Sequence, residues 1–415
     1  MQALRTLEGV EVAGKRVIVR VDLNVPMKNG VITDDTRIRH VAPILGELSD
    51  KRAIVIVLAH FERPGGKVIT KYSLAPLRIA LERSLKKAVQ FVPTDWRNGI
   101  HHAAAAAADP GDILLMENIR FHPGEERNDP GFSRTLAGLG DIFVNDAFSV
   151  AHRAHASTEG IARLLPSFAG PGLEAEISAL DQTLGNPVRP VGAVVGGAKV
   201  STKIPVLENL VKRVDELIIG GAMANTFLHA QGISVGRSRC EPNCGAIAEH
   251  ILRQAEAHNC NVILPRDVVV AKDFAAGASH TVTDVSAVPE DAMILDIGPE
   301  TVADIKELFG DLKTLLWNGP VGAFEIEPFG CGTFALARAA ARLTQAGKLL
   351  TVAGGGDTVA ALAAADVTDR FSHVSTAGGA FLEWLEGRDL PGVAILRTPN
   401  SEGGIDGPNN AKTIA

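Results

Sequence analysis

Residues 143–158 read FVNDAFSVAHRAHAST, an apolar run that ends among Asp146, His152, Arg153 and His155. Three chemistries compete for such a stretch. Asp146, His152 and His155 are metal-ligand types. His152, Arg153 and His155 could instead enclose an anion, or the polar groups could satisfy one another in a turn. Other residues decide between these readings. Arg37, Arg63, Arg120 and Arg153 each lie at or shortly after the end of an apolar run, as do His60 and His152. Singly, each is an ordinary surface salt-bridge partner, but their recurrence at equivalent places in successive units makes a pattern. A cation among several arginines would be repelled and an anion drawn in, and guanidinium forks suit carboxylate and phosphate oxygens. The stretch therefore reads as an anion pocket. Asp22 and Asn24, two apart in VDLN, share one face of a strand and can accept from, or orient, a ligand hydroxyl.

The second half ends its apolar runs differently, in VVGGAKV, IIGGAMA, WNGPVG, VAGGGDT and STAGGA. A glycine turn entering a helix lets backbone N–H groups approach phosphate oxygens, with help from the helix dipole. One such turn is as easily a helix cap, but so many in one half point to nucleotide binding. In GGGDT, Asp357 and Thr358 are placed to cap the following helix, and Asp357 could equally hold Mg²⁺ on a nucleotide phosphate. Lys199 and Lys203 are four apart in GGAKVSTK. That spacing puts both on one helical face after a glycine turn, where they suit a transferring phosphoryl group, though the pair could equally be solvated surface charge. Neither the G-x-x-x-x-G-K-[ST] loop nor the protein-kinase signatures occur.

Positioning these groups requires strands that stop at the same edge. Apolar β-branched runs at 16–21, 53–59, 113–117 and 142–145, then at 192–197, 216–221, 261–265, 314–319, 349–355 and 372–376, alternate with Ala- and Leu-rich helical stretches. Near-continuous apolar strands separated by helices predict parallel sheets covered on both faces. The expected fold is α/β, with two doubly wound, Rossmann-like domains. Ligands of such sheets bind beyond the carboxyl ends of the strands, so one ligand held by charge and another by backbone are expected. Residues 168–190, with Gly and Pro at both ends of a helical pattern, read as a linker helix. HHAAAAAADPGD reads as an Ala-rich helix with its histidines at the surface.

The 415 residues exceed one ordinary core. A net charge of −7 gives no reason to expect nucleic-acid binding. Four cysteines make no disulfide framework, and Cys240 and Cys244 lack the second pair a structural zinc site needs. Without an apolar signal region or a membrane-length apolar run, the expectation is a cytoplasmic enzyme with no membrane or nucleic-acid partner.

RVDLNVP, TRI, HFERP, ENIRFHPGEE, VNDAF with AHRAHAST, GGAKVSTKI, IIGGAMANTFL, WNGPVGAFE, GGGDT and HVSTAGGA together resemble the phosphoglycerate kinase family along nearly the whole chain. The resemblance implies a hinge-bending kinase. Its 3-phosphoglycerate domain would span 1–170, its linker helix 171–190 and its MgATP domain 191–396. A tail at 397–415 would return to the first domain or be disordered. Asp22, Asn24, Arg37, His60, Arg63, Arg120 and Arg153 would contact 3-phosphoglycerate. Lys199, Lys203, Gly220, Gly221, Gly298, Asn318, Pro320, Glu325, Gly355, Gly356, Asp357 and Thr358 would line the nucleotide site, Glu325 at the ribose and Asp357 at Mg²⁺. The implied reaction moves the γ-phosphoryl of ATP onto a carboxylate, giving ADP and 1,3-bisphosphoglycerate, and runs in reverse in glycolysis. A carboxylate is already ionised and needs no general base. Arg37, Lys199 and Lys203 would be the catalytic cations, assembled by hinge closure in a monomer.

The chain departs from the pattern in places. Glu62 stands where the family usually has glycine, and a carboxylate about 8 Å from a substrate anion would cost roughly 2 kcal/mol at an effective dielectric near 20. Ala377 replaces a common glycine, which matters only where φ must be positive. The linker start, GPGLEAE, holds more helix breakers than usual. Glu62 is the one support for a weakened paralogue kept as a binding module. A dinucleotide-dependent oxidoreductase would need G-x-G-x-x-G, and the turns here are GGA, GGGD and NGP.

Overall fold

Each apolar run found in the sequence becomes a strand, and the alternation within it assigns one side chain to each face of a sheet. The computed structural model describes residues 3–28 and 30–397, so the tail from 398 onward lies outside the described residues. The chain divides into two compact units. One holds the described residues of Met1–Ala147, Arg153–Glu174 and Pro391–Ala415; the other holds Phe148–His152 and Ala175–Leu390.

In the first unit the strands are β1 (Arg16–Arg20), the hairpin β2 (Met27–Lys28) and β3 (Val31–Ile32), β4 (Ile54–Leu58), β5 (Gln90–Val92), β6 (Ile113–Met116), β7 (Ile142–Asn145) and β8 (Ser167–Ala169). Six of them form a parallel sheet in the order β5-β6-β4-β1-β7-β8. Val17, Val19, Val55 and Val57 face α1 (Thr36–Asp50) and α2 (Leu77–Leu85). The intervening Ile18, Ile54, Ile56 and Leu58 pack with residues of α3 (Ile100–Ala107) and α4 (Pro130–Ala137). A strand buried on both faces has no polar alternation, which is why these runs read as continuous.

One expectation about α3 is corrected here. His101 is buried, not superficial; its Nδ1 lies 3.1 Å from Thr94 Oγ1 and its ring 5.2 Å from that of Trp96. Burial, with the neighbouring His102, lowers its pKa to about 4. The Ala-rich pattern gave no sign of which face would be covered.

The expected linker forms α5 (Pro171–Leu180), extended by a wider turn over Asp181–Gly185. The division between the units falls inside α5, after Glu174. Its Gly-Pro-Gly start has a physical purpose. Buried Asp146 accepts a hydrogen bond from Leu173 N–H at 3.0 Å, satisfying an orphan donor of the helix. A Cβ at Gly170 would lie 2.5 Å from Asp146 Oδ1, and one at Gly172 2.9 Å away. Pro171 starts the helix without needing an N–H partner.

The second unit repeats the design. Its strands are β9 (Val191–Val195), β10 (Glu216–Ile219), β11 (Asn261–Ile263), β12 (Asp267–Ala271), β13 (His280–Asp284), β14 (Met293–Ile297), β15 (Thr314–Asn318), β16 (Leu350–Gly354) and β17 (His373–Ser375). A parallel sheet runs β11-β10-β9-β15-β16-β17, and a small antiparallel sheet β13-β12-β14 was not foreseen from the sequence. The helices are α6 (Ile204–Leu210), α7 (Ala222–Ala230), α8 (Gly245–Ala257), α9 (Pro299–Asp311), α10 (Cys331–Gln345), α11 (Gly356–Ala364) and α12 (Gly378–Leu385). Phe309, Trp317 and Leu336 belong to one core beneath α9 and α10. The chain then returns to the first unit through α13 (Pro391–Ala394), earlier than the boundary at 396 read from the sequence. There Arg5 N–H donates to Leu396 O at 2.9 Å, and its guanidinium to Ile395 O at 2.6 Å. Among the described residues no helix is long and apolar enough to cross a membrane.

Asp267 docks α9 onto the small sheet by accepting from Glu300 N–H at 2.9 Å, Thr301 N–H at 2.7 Å and Thr301 Oγ1 at 2.6 Å. A Cβ at Gly298 would sit 2.2 Å from Asp267 Oδ2. Gly298→Ala should therefore displace this cap and lower stability by about 2–3 kcal/mol in urea unfolding, with nucleotide affinity unchanged. An unchanged midpoint would contradict the packing account.

Burial raises the pKa of Asp146 to about 6, despite the N–H groups of Leu173 and Gly172 pulling it down. The folded carboxyl thus keeps a proton that the unfolded chain releases near pH 4. The associated stability is present below pH ~4 and lost as pH rises through about 6. Asp146→Asn removes that dependence. Relative to the parent it should gain about 2.4 kcal/mol on going from pH 4 to pH 7.5, read from urea midpoints. A pH-independent difference would overturn the assignment.

Candidate active site

The polar groups of the first unit gather at the carboxyl ends of its strands. β1 stops at Arg20, so Asp22 and Asn24 lie just beyond the strand rather than in it. The extended alternation nevertheless persists: Val21, Leu23 and Val25 are buried, and Asp22 and Asn24 between them are half-buried. Asn24 N–H donates to Asp22 Oδ1 at 2.9 Å. Arg37, in the first turn of α1, pairs with Asp22 at 3.0 Å and donates to Asn24 O at 2.8 Å. Asn24 Oδ1 accepts Glu62 N–H at 2.9 Å, and Arg120 donates to Glu62 O at 2.8 Å. One network thus joins the ends of β1, β4 and β6 to the start of α1.

Glu62 has φ +55°, which explains why glycine suits this position, and its side chain is exposed. Buried His60 has Nδ1 3.1 Å from a guanidinium nitrogen of Arg20. Burial holds the His60 pKa well below its ordinary value, and the charges of Arg20, Arg120, Arg37 and Arg153 act the same way. Arg63 is exposed and adds its charge to Arg153 and others around buried Arg120, whose pKa is lowered chiefly by burial. The sequence-derived cations therefore do share one field.

Two residues of this cluster were missed. Arg20 is fully buried; it donates to Ser157 Oγ at 3.0 Å and to Val21 O, and burial lowers its pKa to about 10. Glu125, also fully buried, accepts Ser157 N–H at 3.0 Å and Oγ–H at 2.6 Å. Burial pushes its pKa up, but His155, Arg20 and Ser157 together bring it below the usual value. A charged residue inside an otherwise apolar two-faced strand was the available signal for Arg20.

The expected pocket of His152, Arg153 and His155 is corrected. His155 is buried with Nδ1 3.6 Å from Glu125 Oε1. His152 groups with the second unit, within 3.4 Å of where a Gly379 Cβ would stand. Arg153 alone joins the arginine cluster, while Asp146 caps α5. Among the described residues no group of three or more His, Cys, Asp and Glu side chains could hold a metal ion.

In the second unit the glycine turns at the ends of β9, β15 and β16 open onto a cavity of about 360 Å³ bordered by Lys199, Lys203, Asn318, Gly355, Asp357 and Thr358. Gly319, at φ +115°, is held so near Gly196 that a Cβ would meet its carbonyl oxygen at 2.2 Å. Lys203 Nζ donates to Asn318 Oδ1, while Asn318 Nδ2 donates to Gly354 O at 2.7 Å. Burial lowers the Lys203 pKa to about 8, with Asp357 and Glu386 opposing. Two expectations change. α6 starts only at Ile204, so Lys199 and Lys203 lie in the turn before it rather than on one helical face. Asp357 and Thr358 lie in the first turn of α11 and do not cap it; Gly355 holds the cap position, and Thr358 Oγ1 accepts Gly319 N–H at 2.7 Å.

A second cavity, about 440 Å³, is bordered by Gly221, Asn225, Phe274, Met293, Pro320 and Glu325 among others. It is more apolar and shares Asp357 with the first. Neither cavity is bordered by Gly220 or Gly298. Gly220 instead packs where a Cβ would meet Val321 at 2.5 Å. Ala377 has φ −97°, so it needs no glycine.

The sequence matches the family model described as "Phosphoglycerate kinase" over residues 7–388. The "Phosphoglycerate kinase" of Agrobacterium fabrum (strain C58 / ATCC 33970) is 56% identical over 399 residues, covering 96% of this chain and 100% of the relative. That of Chelativorans sp. (strain BNC1) is 58% identical over 401 residues, covering 96% and 100%. Among solved structures, phosphoglycerate kinase from Coxiella burnetii superposes with a TM-score of 0.89 at 45% identity, covering 95% of this chain and 99% of that one. By its motifs, its paired parallel sheets and these likenesses, the chain belongs to the phosphoglycerate kinase family.

Proposed function

We propose that this chain carries out phosphoglycerate kinase activity with one reactant held by each unit. The first unit binds 3-phosphoglycerate, or 1,3-bisphosphoglycerate in the reverse direction, and the second binds ATP or ADP. The observation that carries this reading is the cluster of Arg20, Arg37, Arg120 and Arg153 around a neutral His60. Such an excess of partly desolvated positive charge favours a multiply charged small acid. Asp22, Asn24, Arg37, His60, Arg63, Arg120 and Arg153 are its contacts. His60 Nδ1 accepts from Arg20, which leaves the ring proton on Nε2 as a donor. Asp22 orients Arg37 and can accept from the substrate hydroxyl.

In the second unit Lys199, Lys203, Asn318 and Gly355–Thr358 border a polar cavity suited to phosphates. Gly221, Pro320 and Glu325 border the apolar cavity suited to a nucleoside, with Glu325 available to ribose hydroxyls. Mg²⁺ fits beside Asp357, since this ion takes one or two carboxylates and completes its shell with phosphate oxygens and water. Bound there it would neutralise charge on the phosphoryl oxygens. Lys203, held by Asn318, contributes positive charge to the same end of the nucleotide. The acceptor is an ionised carboxylate, so positioning and charge neutralisation replace a general base. The chain acts as a monomer.

A coupled assay with ATP and 3-phosphoglycerate should give turnover of about 1–100 s⁻¹; its absence would reject the reading. Arg37→Ala should lower kcat about 100-fold or more, with the KM for ATP changed less than about threefold. An unchanged kcat would remove Arg37 from the mechanism. Glu62→Gly relieves a left-handed backbone and removes only an exposed carboxylate. It should raise stability by about 0.5–1 kcal/mol in urea unfolding and keep kcat within about twofold. A loss of stability would sink that account.

A further inference from the structure

The two cavities of the second unit meet at a common wall made by Gly197, Ala198, Arg239 and Asp357. Arg239 is a basic side chain at the junction, and no motif in the sequence pointed to it. Its guanidinium is exposed, and among the described residues no carboxylate pairs with it. By contrast, Lys203 is tied to Asn318 and feels Asp357 and Glu386. An exposed arginine is usually a solvated surface charge. Here the backbone beneath it is fixed from two sides, which sets it apart. Asn225 Nδ2 donates to Arg239 O at 3.1 Å, and the next residues are held by Thr226 Oγ1, which accepts Glu241 N–H at 3.1 Å. The Glu241 carboxylate accepts Ser201 N–H at 3.0 Å and Ser201 Oγ–H at 2.7 Å, in the turn that carries Lys199 and Lys203.

We propose that Arg239 is a nucleotide-binding residue that grips the phosphate nearest the nucleoside. This rests on the nucleotide reading above and deepens it. With a nucleoside in the apolar cavity and the outer phosphates beside Lys199 and Lys203, the first phosphate passes the shared wall. A guanidinium there presents paired N–H donors to its oxygens. Because its backbone is already anchored, only the side chain has to be ordered on binding. Phosphate recognition is thereby spread along the nucleotide, with lysines at the outer phosphates and an arginine at the inner one.

Isothermal titration of the full chain with adenosine, AMP and ADP, each with Mg²⁺, tests this in the parent, Arg239→Gln and Arg239→Lys. The glutamine variant should bind AMP and ADP about tenfold more weakly, the usual scale for a charged hydrogen bond, and adenosine unchanged within about twofold. The lysine variant should recover part of the loss, and both should keep the parent's thermal midpoint. ADP affinity unchanged in Arg239→Gln would overturn the proposal. So would an equal loss for adenosine, which would mean that the guanidinium contacts the base. Failure of the parent itself to bind ADP would instead refute the nucleotide reading, and this proposal with it.

Discussion

A fully buried guanidinium must find a buried negative charge and enough acceptors, and the first unit is arranged around that requirement. Removing Arg20 from water is expensive unless its charge is opposed and its donors are bonded. Glu125 opposes it, while Ser157, Val21 and His60 take its donors. These partners come from the ends of β1 and β4, from the loop after β6 and from the turn after β7. Satisfying Arg20 therefore fixes the relative placement of those loops. Glu125 is in turn held by Ser157 through both backbone and side chain, so the opposing charge cannot swing away.

That arrangement leaves positive charge in excess. Around His60 the guanidinium groups of Arg20, Arg37, Arg120 and Arg153 all disfavour a further proton. Asp22 pairs with Arg37, and Glu126 pairs with Arg120 from a more exposed position, so the two carboxylates offset that charge only in part. The second unit builds attraction for anions by another route. Its half-buried Lys203 is held by a neutral amide, its helices begin at glycine turns, and close backbone approaches leave room for a ligand. Guanidinium forks favour a small acid of defined shape, whereas amides and a point-charge ammonium suit phosphates.

The sheets were legible because a parallel strand buried on both faces leaves a continuous apolar run, as in Ile54–Leu58. Motifs at the ends of such runs also marked His60 and Arg120, which share one charged field with Arg37 at the start of α1. Less visible were features that depend on what packs against what. The four-residue spacing of Lys199 and Lys203 suggested a helix, yet the chain makes a turn before α6, where Lys203 can reach Asn318. His101 lies on a helix too Ala-rich to disclose its buried side. β13 is largely exposed and β14 only half-buried over most of its length, so neither carries the two-faced signature of the parallel strands. Arg20 and Glu125 escaped notice because their partners are distant in sequence.

The first unit is assembled from segments that the second unit interrupts. Its framework includes α13 and the bridge between Leu4 and Arg397. On a translating ribosome, where elongation runs at about 5–20 residues per second, the whole second unit emerges before that closing segment, a delay on the order of tens of seconds. A nascent chain must therefore keep the edge near its amino terminus uncapped throughout that interval, exposed to chaperones or to misplaced strands, while the later-born unit already has all of its sequence in hand.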